Sequence, residues 1–296
     1  MKSLKLKQLL HFAGSACAVI GIVFIAQRLF QYSATIHFAQ FSARDWLLLG
    51  SLAITYGLAN LLLAVAWWQL LNGLSAHTPS TWALKAFGIS QIGKYVPGNI
   101  FHIAGRQALG MAAGIPAAPL AKSSLWELGL LCVAGGLFGA LALPLVVPQL
   151  TTILSSLLFL GAITAAGALI LKFTSRAFAC AFILYIAFLG CSGSIFLGTT
   201  VINHPASPFA SADWFAIIGA YVIAWLIGLL TPGAPAGVGI RELVLLFFLQ
   251  HRINEAELVL AVILGRMITV GGDLLFYLCA LAIKTQGLSS SNEHKQ

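Results

Sequence analysis

Residues 93–99 read Gly93-Lys94-Tyr95-Val96-Pro97-Gly98-Asn99, and residues 231–239 read Thr231-Pro232-Gly233-Ala234-Pro235-Ala236-Gly237-Val238-Gly239. We call these stretches the first break and the second break, because each interrupts long apolar runs that favour helix. Non-helical backbone at membrane depth must line an enclosed or wet cavity, since lipid offers it no hydrogen bonds. Two such breaks, one in each half of a polytopic chain, are typical of the binding site of a transporter.

The composition around the breaks is that of a membrane protein. The chain has 296 residues, of which 59% are hydrophobic and 8% are charged, and its mean hydropathy is +0.95. A soluble domain carries about 25% charged residues, so this chain has too few to keep its surface in water. A span needs roughly 20 apolar residues, which leaves room for about seven or eight spans. We predict an all-α integral membrane protein, a bundle of about seven to eight transmembrane helices with two broken, re-entrant segments.

The chain reads as one polytopic membrane domain over residues 1–286, followed by a disordered polar tail over residues 287–296. The broken segments cover about residues 81–110 and 231–250. The predicted spans cover about residues 9–30, 46–71, 123–147, 152–171, 178–201, 213–230 and 258–283. No stretch between them is long enough for a separate soluble domain.

The net charge of +8 indicates membrane orientation rather than nucleic-acid binding. Most basic residues flank predicted spans or lie in the broken segments, and no basic face with interleaved aromatic residues is present. Three lysines precede the first span and two basic residues share a later short loop: Lys2, Lys5, Lys7, Lys172 and Arg176. Basic loops stay on the cytoplasmic side, so we expect the N-terminus in the cytoplasm.

No pattern for a metal, a disulfide framework or a cofactor is present. The five cysteines fall in apolar runs without CxxC or Cys/His spacing: Cys17, Cys132, Cys180, Cys191 and Cys279. Five histidines are isolated near predicted span ends or loops: His11, His37, His77, His204 and His251. The sequence also lacks the HExxH, GxSxG and Walker A motifs, so we assign no catalytic residue and no cofactor.

The first break should separate two helices. Pro97 has no amide hydrogen and disfavours helix in the residue before it, so a helix should end near Val96. Asn99 then suits the N-cap of a new helix that extends through Ala108.

The basic residues around this break form a candidate anion site. His102 and Arg106 lie four apart, on one face of the new helix, and Lys94 precedes it. A helix start carries free amides and partial positive charge, which suits a phosphate or a carboxylate. The alternative is a turn at the membrane interface, with Lys94 and Arg106 extending to lipid headgroups.

The second break follows the same logic. Its glycines, Gly233, Gly237 and Gly239, permit close backbone approach, and a helix should start near Ile240. Its first turn contains Arg241 and Glu242, for which two interpretations stay open. The two side chains neutralise each other and order the loop, or Arg241 contacts a ligand while Glu242 orients it.

Three further charges lie within or near predicted spans: Glu127, Arg266 and Asp273. Each costs roughly 3 kcal/mol at the centre of a span, so each needs a partner or a function. Arg266 and Asp273 are seven residues apart, about 10 Å along one helix, so each should have a partner on another helix. Glu127 could pair with Arg266 or Arg241. These charges serve either as structural ion pairs or as part of a proton or ligand pathway.

The break motifs resemble a known family. They are Gly93-Lys94-Tyr95-Val96-Pro97-Gly98 followed by Gly105-Arg106, Pro232-Gly233 followed by Gly237-x-Gly239-x-Arg241-Glu242, and Gly265-Arg266. In this order they resemble the lysylphosphatidylglycerol synthase transmembrane-region family, a flippase-like module. The resemblance implies a bundle with re-entrant segments that moves anionic or aminoacylated phospholipids, or isoprenoid-linked glycans, between leaflets. Fused members add a soluble aminoacyltransferase domain, which we do not expect here.

We therefore expect a flippase or transporter of anionic or lipid-linked substrates in the bacterial inner membrane. The partners would be membrane lipids and an envelope glycosyltransferase or lipid-modifying enzyme. The alternatives are a membrane-embedded transferase or hydrolase that acts on a lipid-linked phosphate, and a non-transporting subunit in cell-envelope assembly. The predicted substrate-binding residues are Lys94, Asn99, His102, Arg106, Arg241 and Glu242.

Overall fold

The computed structural model describes residues 41–96, 100–202, 213–231, 237, 239–250, 252–253 and 255–284. Several predictions lie outside these residues. They concern the span at about 9–30, the polar tail, and Pro97, Gly98, Asn99, Pro232 and Gly233.

The described part of the chain is helical, with no strand in it. Its α-helices are α1 (Ala43–Gly73), α2 (Ser80–Gln91), α3 (Phe101–Ala112), α4 (Ala117–Leu137), α5 (Gly139–Val146), α6 (Thr152–Phe173), α7 (Arg176–Ile202), α8 (Trp214–Leu230), α9 (Ile240–Leu249) and α10 (Glu255–Ala282). A short 3-10 helix, Ile92–Tyr95, follows α2 directly.

Among these residues, five helical stretches are long and apolar enough to cross a membrane: Ala43–Gly73, Ala117–Val146, Thr152–Phe173, Arg176–Thr200 and Glu257–Ala282. Helix α8 is a shorter apolar helix. The predicted class, an all-α membrane protein, is confirmed at this level. The number of spans stays a prediction.

The centre of the bundle is formed by α1, α7 and α10. Helix α1 packs most extensively against these two helices, and the fully buried side chains there include Trp67, Tyr185 and Phe196. Helix α6 lies at the periphery, where Ser155 is its one buried residue. The number of buried residues in a helix therefore depends on where the helix lies in the bundle. An apolar face suits contact with lipid as well as contact with other helices.

Two glycines allow α1 and α10 to cross at backbone contact. A Cβ atom on Gly272 would lie 2.6 Å from the Ala53 carbonyl oxygen and 2.8 Å from the Gly57 amide nitrogen. A Cβ on Gly57 would in turn lie 3.0 Å from the Gly272 oxygen. Small residues let membrane helices approach closely enough for packing to hold them together. This contact brings Asp273, the next residue of α10, against α1.

Helices α2 and α3 form an antiparallel pair around the first break. A Cβ on Gly93 would lie 2.8 Å from the His102 amide nitrogen, and one on Gly105 would lie 3.5 Å from the Ser90 Cβ. The contacts therefore pair later residues of α3 with earlier residues of α2. Each helix has 12 residues and is about 18 Å long.

The boundaries of the first break differ in part from the prediction. The 3-10 helix ends at Tyr95 and Val96 is extended, as the proline predicts. The N-cap of α3 is Ile100, which makes no side-chain cap hydrogen bond, and the helix extends to Ala112. Asn99 itself lies outside the described residues, and the predicted end of the helix at Ala108 is wrong. The first turn of α3 packs against Gly93. Capping preferences, which depend on local sequence alone, do not predict this contact.

The glycine crossing leads to a stability prediction. Gly272→Ala should lower the free energy of unfolding by about 1–3 kcal/mol, because the new methyl group has no room beside the Ala53 oxygen. Gly271→Ala is the matched control, since its Cβ would meet the Ala53 Cβ at an ordinary 3.7 Å. Both changes gain the same helix propensity, about 1 kcal/mol. Thermal unfolding in detergent should separate them, and equal melting temperatures would contradict the close crossing.

Candidate functional site

Among the residues that the structure describes, seven charged side chains lie inside the bundle or at its breaks. Four are cations and three are carboxylates: Lys94, Arg106, Arg241, Arg266, Glu127, Glu242 and Asp273. We call this set the interior charges. Of the other described basic residues, Lys85 lies within α2 and donates from Nζ to the Ile283 carbonyl at 2.7 Å. The rest lie near the ends of helices or in loops: Arg44, Lys122, Lys172, Arg176, Arg252 and Lys284.

Asp273 is a fully buried carboxylate that ties the first break to α1 and α10. Its Oδ2 lies 2.7 Å from the Lys94 Nζ and accepts a hydrogen bond from the Tyr95 hydroxyl at 2.5 Å. Its Oδ1 accepts a hydrogen bond from the Asn60 Nδ2 at 3.1 Å. Three donors on one buried carboxylate hold its charge in a region of low dielectric constant. Asp273 therefore fixes the end of the 3-10 helix against the bundle.

Arg106 and Glu127 form a second buried ion pair, between α3 and α4. Arg106 Nη2 lies 2.8 Å from Glu127 Oε2, and Nη1 donates a hydrogen bond to Oε1 at 3.0 Å. The guanidinium carbon is 4.5 Å from the Phe87 ring centroid and 5.3 Å from that of Trp67. Arg106 is only 1% exposed, so its charge depends on Glu127 and on these ring faces.

The predicted pairing of Glu127 with Arg266 or Arg241 is wrong. Helices α2 and α3 are antiparallel, and this arrangement places α3 against α4, so that Arg106 lies beside Glu127. Gln107 strengthens the same contact, since its Nε2 donates to the Leu120 carbonyl and to the Ser124 hydroxyl.

The third ion pair holds the second break. Arg266 donates to Glu242 Oε1 from Nη2 at 3.0 Å and from Nε at 3.2 Å, and Nη2 also donates to the Gly237 carbonyl at 3.1 Å. Glu242 Oε2 accepts a hydrogen bond from the Gly239 amide at 2.6 Å. Glu242 thus orders the start of α9, which begins at Ile240 as predicted. Its charge partner is Arg266, so the interpretation of Arg241 and Glu242 as a self-neutralising pair is wrong.

The prediction that Arg266 and Asp273 have partners outside their own helix is confirmed. Arg266 pairs with Glu242 of α9, and Asp273 pairs with Lys94 of the 3-10 helix. The interior carboxylates are therefore all engaged with arginine or lysine side chains.

Gly237, a described residue of the second break, lies against α8. Gly237 and Gly239 have positive φ angles of 71° and 88°, which side chains other than glycine rarely adopt. A Cβ on Gly237 would lie 2.9 Å from the Gly228 Cα, and one on Gly228 would lie 3.0 Å from the Arg241 Cγ. The close approach to α8 determines where the Arg241 side chain emerges.

Arg241 differs from the other interior cations. Its guanidinium carbon is 5.7 Å from the Trp225 ring centroid, and its Nε is buried without a hydrogen-bond partner in the described part of the chain. The side chain faces a cavity of about 10 Å³, room for about one water. The cavity is lined by Phe196, Tyr221, Arg241, Leu245, Val262, Gly265, Arg266 and Thr269.

His102 lies on α3 as predicted, close to the first break. Its Nδ1 is buried, and no described residue supplies it with a hydrogen-bond partner. No group of three or more metal-ligating side chains occurs among the residues that the structure places. The described cysteines, Cys132, Cys180, Cys191 and Cys279, are free thiols.

Three residues important to the site were not predicted from the sequence. Asn60 was detectable as a polar residue in the middle of an apolar span, where it needs a partner. Tyr95 belongs to the first break, but nothing in the sequence indicates that its hydroxyl reaches Asp273. Trp225 lies in an unbroken apolar run, so its role beside Arg241 has no sequence signal.

No protein-family model matches this chain, and no curated protein is significantly similar to it. Membership of the family that the break motifs resemble is therefore not shown. The function has to be argued from the site.

The buried pair between Arg106 and Glu127 leads to a second stability prediction. Glu127→Gln should destabilise the protein by about 3–5 kcal/mol, because it leaves a buried guanidinium without its counter-charge. The matched control is Asp213→Asn, since the Asp213–Arg252 pair is 3.5 Å long with side chains 22% and 46% exposed. An exposed pair of this kind contributes about 1 kcal/mol or less.

Unfolding in detergent measures both variants and the double variant Arg106→Gln/Glu127→Gln. The double variant should be more stable than Glu127→Gln, because it removes the unpaired charge. If Glu127→Gln is no less stable than Asp213→Asn, the pair is not the structural link described here.

Proposed function

We propose that this protein is a lipid flippase or transporter that moves an anionic or lipid-linked substrate across its membrane. The headgroup phosphate would bind between the two breaks, and the acyl chains would stay in the bilayer. The observation that carries this proposal is the excess of positive charge among the interior charges. Among the described residues, four cations face three carboxylates, and Arg241 at the start of α9 is the cation without a carboxylate partner.

The lengths of the broken helices support this function. Helices α2 and α3 are each about 18 Å long, and α9, with 10 residues, is about 15 Å long. A hydrocarbon core is about 30 Å thick, so none of the three crosses it alone. We infer that the breaks are re-entrant, with helix ends near the middle of the membrane. Substrate sites of transporters are built from such discontinuous helices.

The conformation described here is a closed one. The cavity beside Arg241 holds about one water, far less than a lipid headgroup requires. Lys94 and Arg266 are bonded to Asp273 and Glu242 rather than exposed to a ligand. A bound phosphate would compete with these carboxylates for the cations and so favour a more open state. A ligand shifts such an equilibrium only as far as it binds the open state more tightly.

Ion pairs that hold a site closed also suit transport without nucleotide hydrolysis. The sequence contains no Walker A motif, so movement would be downhill or coupled to an ion. Each ion pair can re-form after the headgroup leaves, which returns the site to its closed state. Glu127 and Asp273 are the buried carboxylates available for ion coupling.

A liposome assay tests the proposal. The purified protein is reconstituted with fluorescent phosphatidylglycerol, and the label in the outer leaflet is reduced by dithionite to measure movement between leaflets. Arg241→Gln should slow this movement by about tenfold or more, because a charged hydrogen bond to the phosphate is lost. Arg252→Gln, an exposed arginine at the beginning of the connection to α10, is the matched control and should behave as wild type.

Two outcomes would count against the proposal. Movement by Arg241→Gln at the wild-type rate would remove the site from the mechanism. A lipid of changed mass after incubation would indicate a transferase or hydrolase, since a flippase changes the leaflet but not the molecule.

A further inference from the structure

Few carboxylates are available to the interior of this protein. The whole chain contains eight acidic residues. Two lie at exposed helix starts with their own partners, since Asp45 bonds Ser42 and Asp213 pairs with Arg252. Three belong to the first turn of α10 or to the C-terminal tail: Glu255, Glu257 and Glu293. Among the side chains that the structure describes, the carboxylates inside the bundle or at its breaks are those of Glu127, Glu242 and Asp273.

Each interior carboxylate is already committed to one cation. The contacts are 2.7 Å for Lys94 with Asp273, 2.8 Å for Arg106 with Glu127 and 3.0 Å for Arg266 with Glu242. Among the described residues, the interior charges therefore leave one positive charge without a carboxylate. That charge belongs to Arg241.

The surroundings of Arg241 suit one phosphate group. The guanidinium carbon lies 5.7 Å from the Trp225 ring centroid, and the cavity beside Arg241 is also lined by Tyr221 and Thr269, which carry hydroxyl groups. A guanidinium binds two phosphate oxygens in parallel, and a ring on its other face excludes water from the contact. Hydroxyl groups beside it can bond the remaining oxygens.

From this charge balance we infer that the site accepts a headgroup with a single negative charge, a lipid phosphodiester, and that Arg241 is its binding residue. The inference rests on the proposed function and deepens it. A diphosphate brings more than one negative charge. Its second charge would stay uncompensated inside the bundle, or would have to take a cation away from Asp273, Glu242 or Glu127. The site therefore selects phospholipid-like diesters over isoprenoid diphosphates.

Equilibrium binding to the purified protein in detergent tests this selectivity, with native mass spectrometry as the measurement. The first probe is phosphatidylglycerol, which has one negative charge. The second is phosphatidylcholine, whose quaternary ammonium group balances the charge of its phosphodiester. The third is a polyprenyl diphosphate. Phosphatidylglycerol should bind at least about tenfold more tightly than either of the others. Arg241→Gln should abolish that preference, and Arg252→Gln should retain it.

A stability measurement separates binding from folding. Arg241→Gln should melt no lower than wild type without lipid, because it removes an uncompensated charge rather than an ion pair. Arg106→Gln, which leaves Glu127 unpaired, should melt lower. If Arg241→Gln binds phosphatidylglycerol as wild type does, or if the diphosphate binds wild type at least as tightly, the inference is overturned.

Further arms identify the source of the diester and keep the two proposals apart. Soluble glycerophosphoglycerol carries the same charged group without acyl chains. If it binds as tightly as the lipid, the site reads a soluble diester, and the assignment to lipid is overturned. Selective binding without movement between leaflets would retain this inference and reject the flippase. If the wild-type protein moves a polyprenyl diphosphate between leaflets at least as fast as phosphatidylglycerol, and Arg241→Gln slows both, the flippase is retained and this inference is rejected.

Discussion

A charge inside a low-dielectric bundle is stable only when an opposite charge or several hydrogen bonds hold it, and this constraint determines how the broken helices are positioned. Asp273 holds the end of the 3-10 helix, Glu127 holds α3, and Glu242 holds the start of α9. Each carboxylate therefore fixes one of the segments that the prolines and glycines interrupt. Without these pairs, unpaired charges would remain inside the bundle.

The same pairs explain why a basic interior is compatible with a closed structure. Lys94, Arg106 and Arg266 are neutralised in place, so they contribute to the packing of the helices that carry them. Arg241 is the remaining interior cation, and it is positioned by Trp225 and by the contact between Gly228 of α8 and Gly237. The cations that join helices through ion pairs are thus distinct from Arg241, the cation to which we assign binding in our proposal.

The sequence allowed prediction of features that depend on local chemistry. Pro97 ends a helix near Val96, and α9 begins at Ile240, because proline and glycine act on their immediate neighbours. The ion-pair partners could not be predicted this way. Glu127 meets Arg106 because α2 and α3 fold back on each other, and Asp273 meets Lys94 because α1 and α10 cross at glycines. Both are long-range contacts, which single-helix periodicity does not encode.

The crossing at Gly57 and Gly272 also limits where the protein can move. Backbone contact between α1 and α10 leaves no space for sliding or tilting at that point, so the two helices are packed there as one unit. Asp273 lies on α10 beside this crossing, whereas its partner Lys94 belongs to a 3-10 helix of only four residues. A rearrangement of the first break would therefore have to change the contact between Lys94 and Asp273, whereas the crossing of α1 and α10 could stay as it is.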